Sequence, residues 1–310
     1  MSRPWNKSLR LRVASDRVEG TLQGGWPRRS PPVASQRDID EDSGSRAPDA
    51  GGHAEAIDAV LQDIAAQSPL KGVRLDVELA SSLLHLDVVE GDFGALADRQ
   101  LQGIADACVV EVLGDAGAEH DVRWHLQRDA RHMLVVAIAR THLAMFEGVA
   151  RSFGMRLRSV KPEFVVRWNE FGRAMKPGRC VFAVSTTGDL SIGAVVDGAL
   201  ASISSGPGVD IHEGVAAGAP TSPPVERVYS KPAASLLFTS SSGAGRGMFS
   251  PTRPMPLEGI DALDARVDRL LYCSGQDPEE QSKFILVASG TPTLAASSRW
   301  VVANASGAPA

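Results

Sequence analysis

Aromatic residues are the first scarcity in this 310-residue chain: nine Phe, five Trp and two Tyr make up 5% of it. A core must therefore be built from aliphatic side chains, and a hydrophobic content of 43% is enough for one. Cysteine is nearly absent. Cys108, Cys180 and Cys273 lie far apart, each in an apolar context. That pattern argues against a disulfide framework or a cysteine metal site, and predicts buried free thiols in a reducing compartment. Positive charge is not in excess either. A formal net charge of −5 leaves no global basic field to hold nucleic acid. No apolar run approaches the roughly 18–20 residues that span a bilayer. The start, "MSRPWNKSLRLRV", has cations but no apolar core of a secretory leader. The expectation is a cytoplasmic protein, soluble without detergent and indifferent to neutral vesicles. Its length suggests about two domains or subdomains.

What is present is order in patches. "LRLRVASDRVEGTLQG" (residues 9–24) alternates apolar and polar residues on both sides of Ser15-Asp16, predicting two strands around a tight turn. Residues 27–52 carry hardly an aliphatic side chain, so a disordered loop is expected there. A helix follows with Ile57, Val60, Leu61 and Ile64 on one face. "VRLDVEL" and "LLHLDVV" read as strands, broken at 80–82. "DFGALADRQLQGIADACVVEVLG" reads as a long helix despite Gly103. "DVRWHLQ" and "HMLVVAIAR" read as strands, and the near-continuous apolar run of the second predicts cover on both faces.

Thr141 is a candidate cap for a helix reaching about Ser152, and Gly154 ends it. "MRLRSV" returns as a strand, and Pro162 opens "PEFVVRWNEFGRAM" at the first helical turn, where its missing N–H is harmless. "RCVFAVSTTGDLSIGAVVDGALASISS" gives three strands with turns at 187–189 and 197–198. Residues 206–256 form a second low-complexity stretch, with a strand at "ASLLFTS" as its one ordered piece. A short helix at 260–265, strands at "VDRLLYCSG" and "KFILVAS", and a frayed tail after Ser297 complete the reading.

Strand hairpins alternating with βα units, twice over, suggest a duplicated α/β core. The order "LRLRVASDRVEGTLQ", "RQLQGIADACVVEVLGDAGAEHDVRWHL", "VVAIARTHLAMFEGVARSFGMRLRSVKPEFVVRWNEF" resembles a known family. It is similar to the actin-like (ribonuclease H-like) scaffold proteins of type IV pilus assembly and type II secretion, the PilM and GspL cytoplasmic class, in a degenerate branch. The resemblance implies an α/β, duplicated ribonuclease H-like fold with a degenerate second half. The halves expected are 9–118 and 119–296. In that fold nucleotide is held by two hairpin turns and a late Gly-Gly turn.

The matching positions here are Asp16 in the first turn, Gly188 and Asp189 in the second, and Gly275 in the third. The first turn, Ala14-Ser15-Asp16-Arg17, lacks the glycine that lets backbone approach a phosphate, and the third keeps one glycine of two. The expectation is a non-enzymatic pseudo-ATPase scaffold with no catalytic residue, cofactor or metal. Its partner would be the cytoplasmic tail of a bitopic inner-membrane assembly protein. The alternatives are an active ATP-binding kinase or ATPase of the same superfold, using Mg²⁺ at Asp16 or Asp189, and an unrelated protein-interaction module.

Other chemistry is thinner. "SSSGAGRGMF" has a glycine-rich look but no Gly-Lys-Ser/Thr ending, so a linker is expected. His120, His125, His132 and His142 cluster in sequence without acidic or thiol partners at metal-ligand spacing. No Gly-x-Ser-x-Gly turn stands between a strand and a helix. Trp168 reads first as an anchor of its helix and second, with Asn169, as part of a docking edge. Arg156 and Arg158 are partner-facing candidates, within a basic ladder completed by Arg151 and Lys161 that suits anionic lipid or an acidic peptide.

Overall fold

The computed structural model describes residues 7–24, 32–39, 50–171, 178–186, 188–208, 259–277, 281, 283–288 and 299–304. Strands β1 (Ser8–Val13) and β2 (Arg17–Gln23) form the hairpin that alternation predicts, with Leu9, Leu11 and Val13 buried and Arg10 and Arg12 on the opposite face. β3 (Val33–Asp38) continues antiparallel to β2, and β4 (Arg74–Leu79) and β8 (Arg156–Pro162) run parallel to β1, giving the order β3-β2-β1-β4-β8. Helices α1 (Ala50–Gln67) and α3 (Arg140–Ser152) cover the apolar face. Ile57, Val60, Leu61 and Ile64 have no exposed surface, as their helical spacing requires.

The second half repeats this plan. β9 (Arg179–Thr186), β10 (Asp189–Val196) and β11 (Ala199–Pro207) form a meander, and β12 (Lys283–Ala288) and β13 (Trp300–Asn304) run parallel to β9 and β12. The order is β11-β10-β9-β12-β13, the same as in the first sheet. Three antiparallel strands followed by two parallel ones, occurring twice, define the duplicated actin-like fold. Asp197 and Gly198, both at positive φ, make the tight β10–β11 turn. Helix α5 (Gly259–Cys273) buries Leu263, Val267 and Leu271 against the second sheet.

Between β4 and α3 lies a small unit: β5 (His85–Glu90), α2 (Asp98–Leu113), β6 (His120–Leu126) and β7 (His132–Ala139). Its sheet has the order β5-β7-β6. β7 is covered on both faces, as expected: Met133, Val135 and Ala137 lie under α2, while Leu134 and Val136 meet a cluster containing Phe182 and Leu200 of the second half. Gln127 fixes that junction, donating to the Leu200 carbonyl at 2.7 Å and accepting from the Leu200 N–H at 2.6 Å.

Several expectations need correction. The boundary at 118/119 cuts through the inserted unit, because β8 is the fifth strand of the first sheet. Within 27–52, residues 33–38 are a strand and α1 already starts at Ala50. β3 is held by its ladder to β2 and by Ser35 and Arg37 on Asp63 of α1, so it needs few aliphatic residues of its own. "VDRLLYC" is helical, since Leu263, Val267, Leu270 and Leu271 recur at three and four. The tail after Ser297 contains β13, where Trp300 packs edge-on to Phe284 and donates to Asp264 at 2.7 Å.

Ala139, not Thr141, precedes the first turn of α3. Cys180 is buried, but Cys108 is half-buried and Cys273 exposed. The strand expected at "ASLLFTS" and the glycine-rich "SSSGAGRGMF" lie outside the described residues. No helix among the described residues is long and apolar enough to cross a membrane.

α4 (Glu163–Phe171) follows β8 directly and lies where the two halves meet. Close packing there explains Gly193 in β10. A Cβ at this position would stand 2.5 Å from Leu200 Cδ1 and 2.8 Å from Phe164 Cζ, both on buried residues. Gly193→Ala is expected to cost about 1–3 kcal/mol by overpacking, measured as a lower urea midpoint at unchanged slope. An unchanged midpoint would mean the junction is looser than this geometry.

Candidate functional site

The junction of the two halves is built from three turns and one helix end. The β1–β2 turn is closed by the Ala14 N–H on the Arg17 carbonyl at 2.8 Å. Opposite it, the β9–β10 turn places Gly188 at φ +80°, and a Cβ there would stand 3.1 Å from Ser15 Oγ and 3.3 Å from Asp16 Cγ. The third turn is the single 3₁₀ turn Ser81–Leu83 after β4. Asp189 joins all three. Its Oδ1 accepts from the Ser82 N–H at 3.0 Å, and its Oδ2 accepts from Ser82 Oγ at 2.9 Å and Ser15 Oγ at 3.5 Å. Ser81 and Ser191 add a buried hydroxyl–hydroxyl bond beside it. Burial raises the Asp189 pKa, the Ser82 bonds oppose that shift and nearby Asp16 reinforces it, leaving a net upward shift.

A buried charge cluster lies beside these turns. Arg167 of α4 is 1% exposed and meets Glu170 at 2.8 Å, Glu163 at 3.5 Å and Glu78 at 3.9 Å. Arg12 reaches Glu78 at 3.2 Å, Glu163 at 3.5 Å and Glu19 at 3.7 Å, while Arg10 reaches the other Glu78 oxygen at 3.0 Å. Burial pushes the Glu163 carboxyl up, Arg12 pulls it down, and Glu78, Glu19 and Asp189 push it up again, to about 7. Burial lowers the Arg12 pKa, but Glu163 and Glu78 outweigh it and leave it raised. A cavity of about 30 Å³ remains, lined by Arg12, Ala14, Asp16, Arg17, Glu19, Glu163 and Thr186. That volume has room for a water or two.

The structure thus brings Asp16, Gly188 and Asp189 together. Gly275 makes none of these contacts. At φ +67° it ends α5, its N–H on the Tyr272 carbonyl at 3.1 Å. Trp168 anchors α4, stacking on Phe164 at 6.5 Å and meeting Phe182 edge-on at 5.8 Å. Asn169 and Arg156 are exposed. Arg158 is held by Asp76 through two contacts of 2.7 and 2.6 Å. Of the clustered histidines, His142 lies beside His53 of α1, with ring centroids 6.2 Å apart. No group of three His, Cys, Asp or Glu could hold a metal among the described residues.

Sequence reasoning missed Ser81, Ser82, Arg12, Glu78, Glu163 and Arg167. Arg12 and Glu78 look like ordinary polar positions in strands. The Glu163–Arg167 spacing of four was the one legible signal.

No family model matches the chain, and no curated protein does. Among solved structures it is similar to the cytoplasmic domain of EpsL, an inner membrane component of the type II secretion system of Vibrio cholerae. Identity there is 14%, over 65% of this chain and 71% of that one, with a TM-score of 0.43. It is also similar to a protein of actin-like ATPase fold from Bacteroides thetaiotaomicron, at 10% identity over 93% and 83%, TM-score 0.49. A third likeness is to the PilM–PilN type IV pilus biogenesis complex, at 12% identity over 66% of this chain and 62% of that one, TM-score 0.48. At these identities the likeness concerns the fold alone, and the actin-like assignment stands on the strand order of the two sheets.

Proposed function

We propose that this chain is a non-catalytic actin-like scaffold of a type IV pilus or type II secretion-like assembly. It acts at the cytoplasmic side of the inner membrane and holds the cytoplasmic tail of a single-span membrane protein. The observation that carries this reading is the closed cleft. Where a nucleotide-using relative needs bare backbone and space, this chain places Ser15, Ser81, Ser82 and a carboxylate whose oxygens already accept three hydrogen bonds. A triphosphate would have to displace those bonds and shed water beside Asp16 and Glu19, which repel it and offset the pull of Arg12 and Arg17 on the same cavity wall. The choice of assembly follows the resemblance in element order read from the sequence.

The rival is an ATP-dependent enzyme of the same superfold, favoured by the meeting of Asp16, Gly188 and Asp189 in one cleft. Isothermal titration with Mg-ATP separates the two. A flat titration is expected, because several lost charge-assisted bonds at about 1.5–3 kcal/mol each move a micromolar site to millimolar. Dissociation near ten micromolar, abolished by Asp16→Ala or Asp189→Ala, would establish the rival. Co-purification with the cytoplasmic tail of a single-span inner-membrane assembly protein tests the partner directly.

A further inference from the structure

Among its described residues, the first half carries a cationic pole with no ion-pair partners. Lys7, Lys71, Arg74, Arg151 and Arg156 are all exposed. The backbone gathers them at the starting ends of β1, β4 and β8. The Arg74 N–H donates to the Lys7 carbonyl at 3.2 Å, and Arg74 and Arg156 are register partners on adjacent strands. The Gly72 N–H donates to the Gly154 carbonyl at 2.8 Å, and the Arg156 N–H to the Val73 carbonyl at 2.9 Å, so the loop carrying Lys71 lies against the end of α3 and its Arg151. Lys7 Nζ donates to Ser68 Oγ at 3.0 Å. Among the described residues none of the five has an acid within ion-pair distance, although most other arginines of this sheet do.

Such a placement costs stability, since guanidinium groups on adjacent strands repel one another. Arg151 in the last turn of α3 has a local reason, the negative end of the helix dipole. Arg74 and Arg156, at strand starts, have none. In a chain of net charge −5, this pole would orient the molecule toward an anionic surface.

We infer that this pole binds an anionic membrane surface by electrostatic attraction, without insertion. The free charge is spread across three strand ends on long side chains. Along the β8 edge the free charge is interrupted, because Arg158, between Arg156 and the exposed Lys161, is already neutralised by Asp76. That distribution suits a delocalised field of headgroup phosphates better than an extended acidic peptide, which would need charge along the strand it pairs with. The inference stands apart from the tail-holding reading, and either can fail without the other.

The test is co-sedimentation of the full chain with vesicles of neutral lipid alone, or containing roughly one third anionic phospholipid, at about 0.1 M salt. Binding is expected to the anionic vesicles only, and to be lost in high salt. Charge reversal of Lys71, Arg74, Arg151 and Arg156 to Glu should weaken it at least about tenfold. The matched reversal of Arg99, Arg123, Arg128 and Arg131, exposed on the inserted unit, should leave it unchanged. Thermal melts of both variants establish that they fold. Equal recovery on neutral vesicles, equal loss in both variants, or no recovery on anionic vesicles would each overturn the inference. Pole-dependent binding to polyglutamate without vesicle binding would replace it with an acidic protein partner.

Discussion

Replacing Arg167 with Met is expected to cost about 3 kcal/mol of stability at pH 8, read from urea unfolding. The guanidinium is 1% exposed and neutralises Glu163, Glu78 and Glu170 at once. Removing one partner of a buried ionic cluster is costly because the others keep their desolvation and lose their counter-charge. The loss falls at the low end of the usual 3–5 kcal/mol, since Arg12 still reaches Glu78 and Glu163. Adding Glu163→Gln should recover part of it, which a double-mutant cycle measures as coupling. A loss under about 1 kcal/mol would mean the cluster is hydrated and its ion pairs are worth little.

The same cluster predicts an unusual pH dependence. In the folded protein Glu163 keeps its proton up to about pH 7, whereas its ordinary value is 4.5. Between those values the folded state binds more protons than the unfolded chain, so the contribution of this group to stability falls as pH rises. The fall begins above 4.5, is complete once pH passes about 7, and amounts to at most about 3 kcal/mol. Asp189, also raised by burial, acts in the same direction. Asp129, lowered by its bonds to His132 and the Arg131 and His132 N–H groups against the effect of burial, acts in the opposite direction in acid. Glu163→Gln should therefore flatten stability between about pH 5 and pH 8, while the wild type loses it. It should also shrink the penalty of Arg167→Met at pH 8, because the neutral amide needs no counter-charge. A wild-type profile flat over that range would mean that Glu163 ionises normally and the cleft is wet.

Much of this architecture is legible in local pattern. The β1–β2 hairpin, α1, α2, β7 and the β9–β11 meander carry period-two or period-3.6 apolar repeats strong enough to name them. The errors share a cause. β3 and β13 have little pattern of their own and become strands because a neighbouring strand offers a ladder; their side chains find Asp63 and Asp264 in distant segments. "VDRLLYC" was short enough for either period, and the buried face of α5 decided it. The halves were misplaced at 118/119 because the inserted unit interrupts the first sheet before its last strand, a matter of pairing that no linear pattern encodes.

By itself the sequence determined the element order, the alternation that gives each sheet an apolar face, and the missing glycines of the first and third turns. Those are local properties, fixed by backbone sterics and side-chain periodicity. Only the tertiary structure decided that the turns close on one another, that Asp189 is held by Ser15 and Ser82, and that Arg12, Glu78, Glu163 and Arg167 share one buried cluster. The partners in that site stand up to 174 positions apart in the chain, and a charged residue in a strand reads the same whether it faces water or a buried counter-charge. The difference between an open cleft and a closed one lies in desolvation and pairing, which exist only once the two sheets have met.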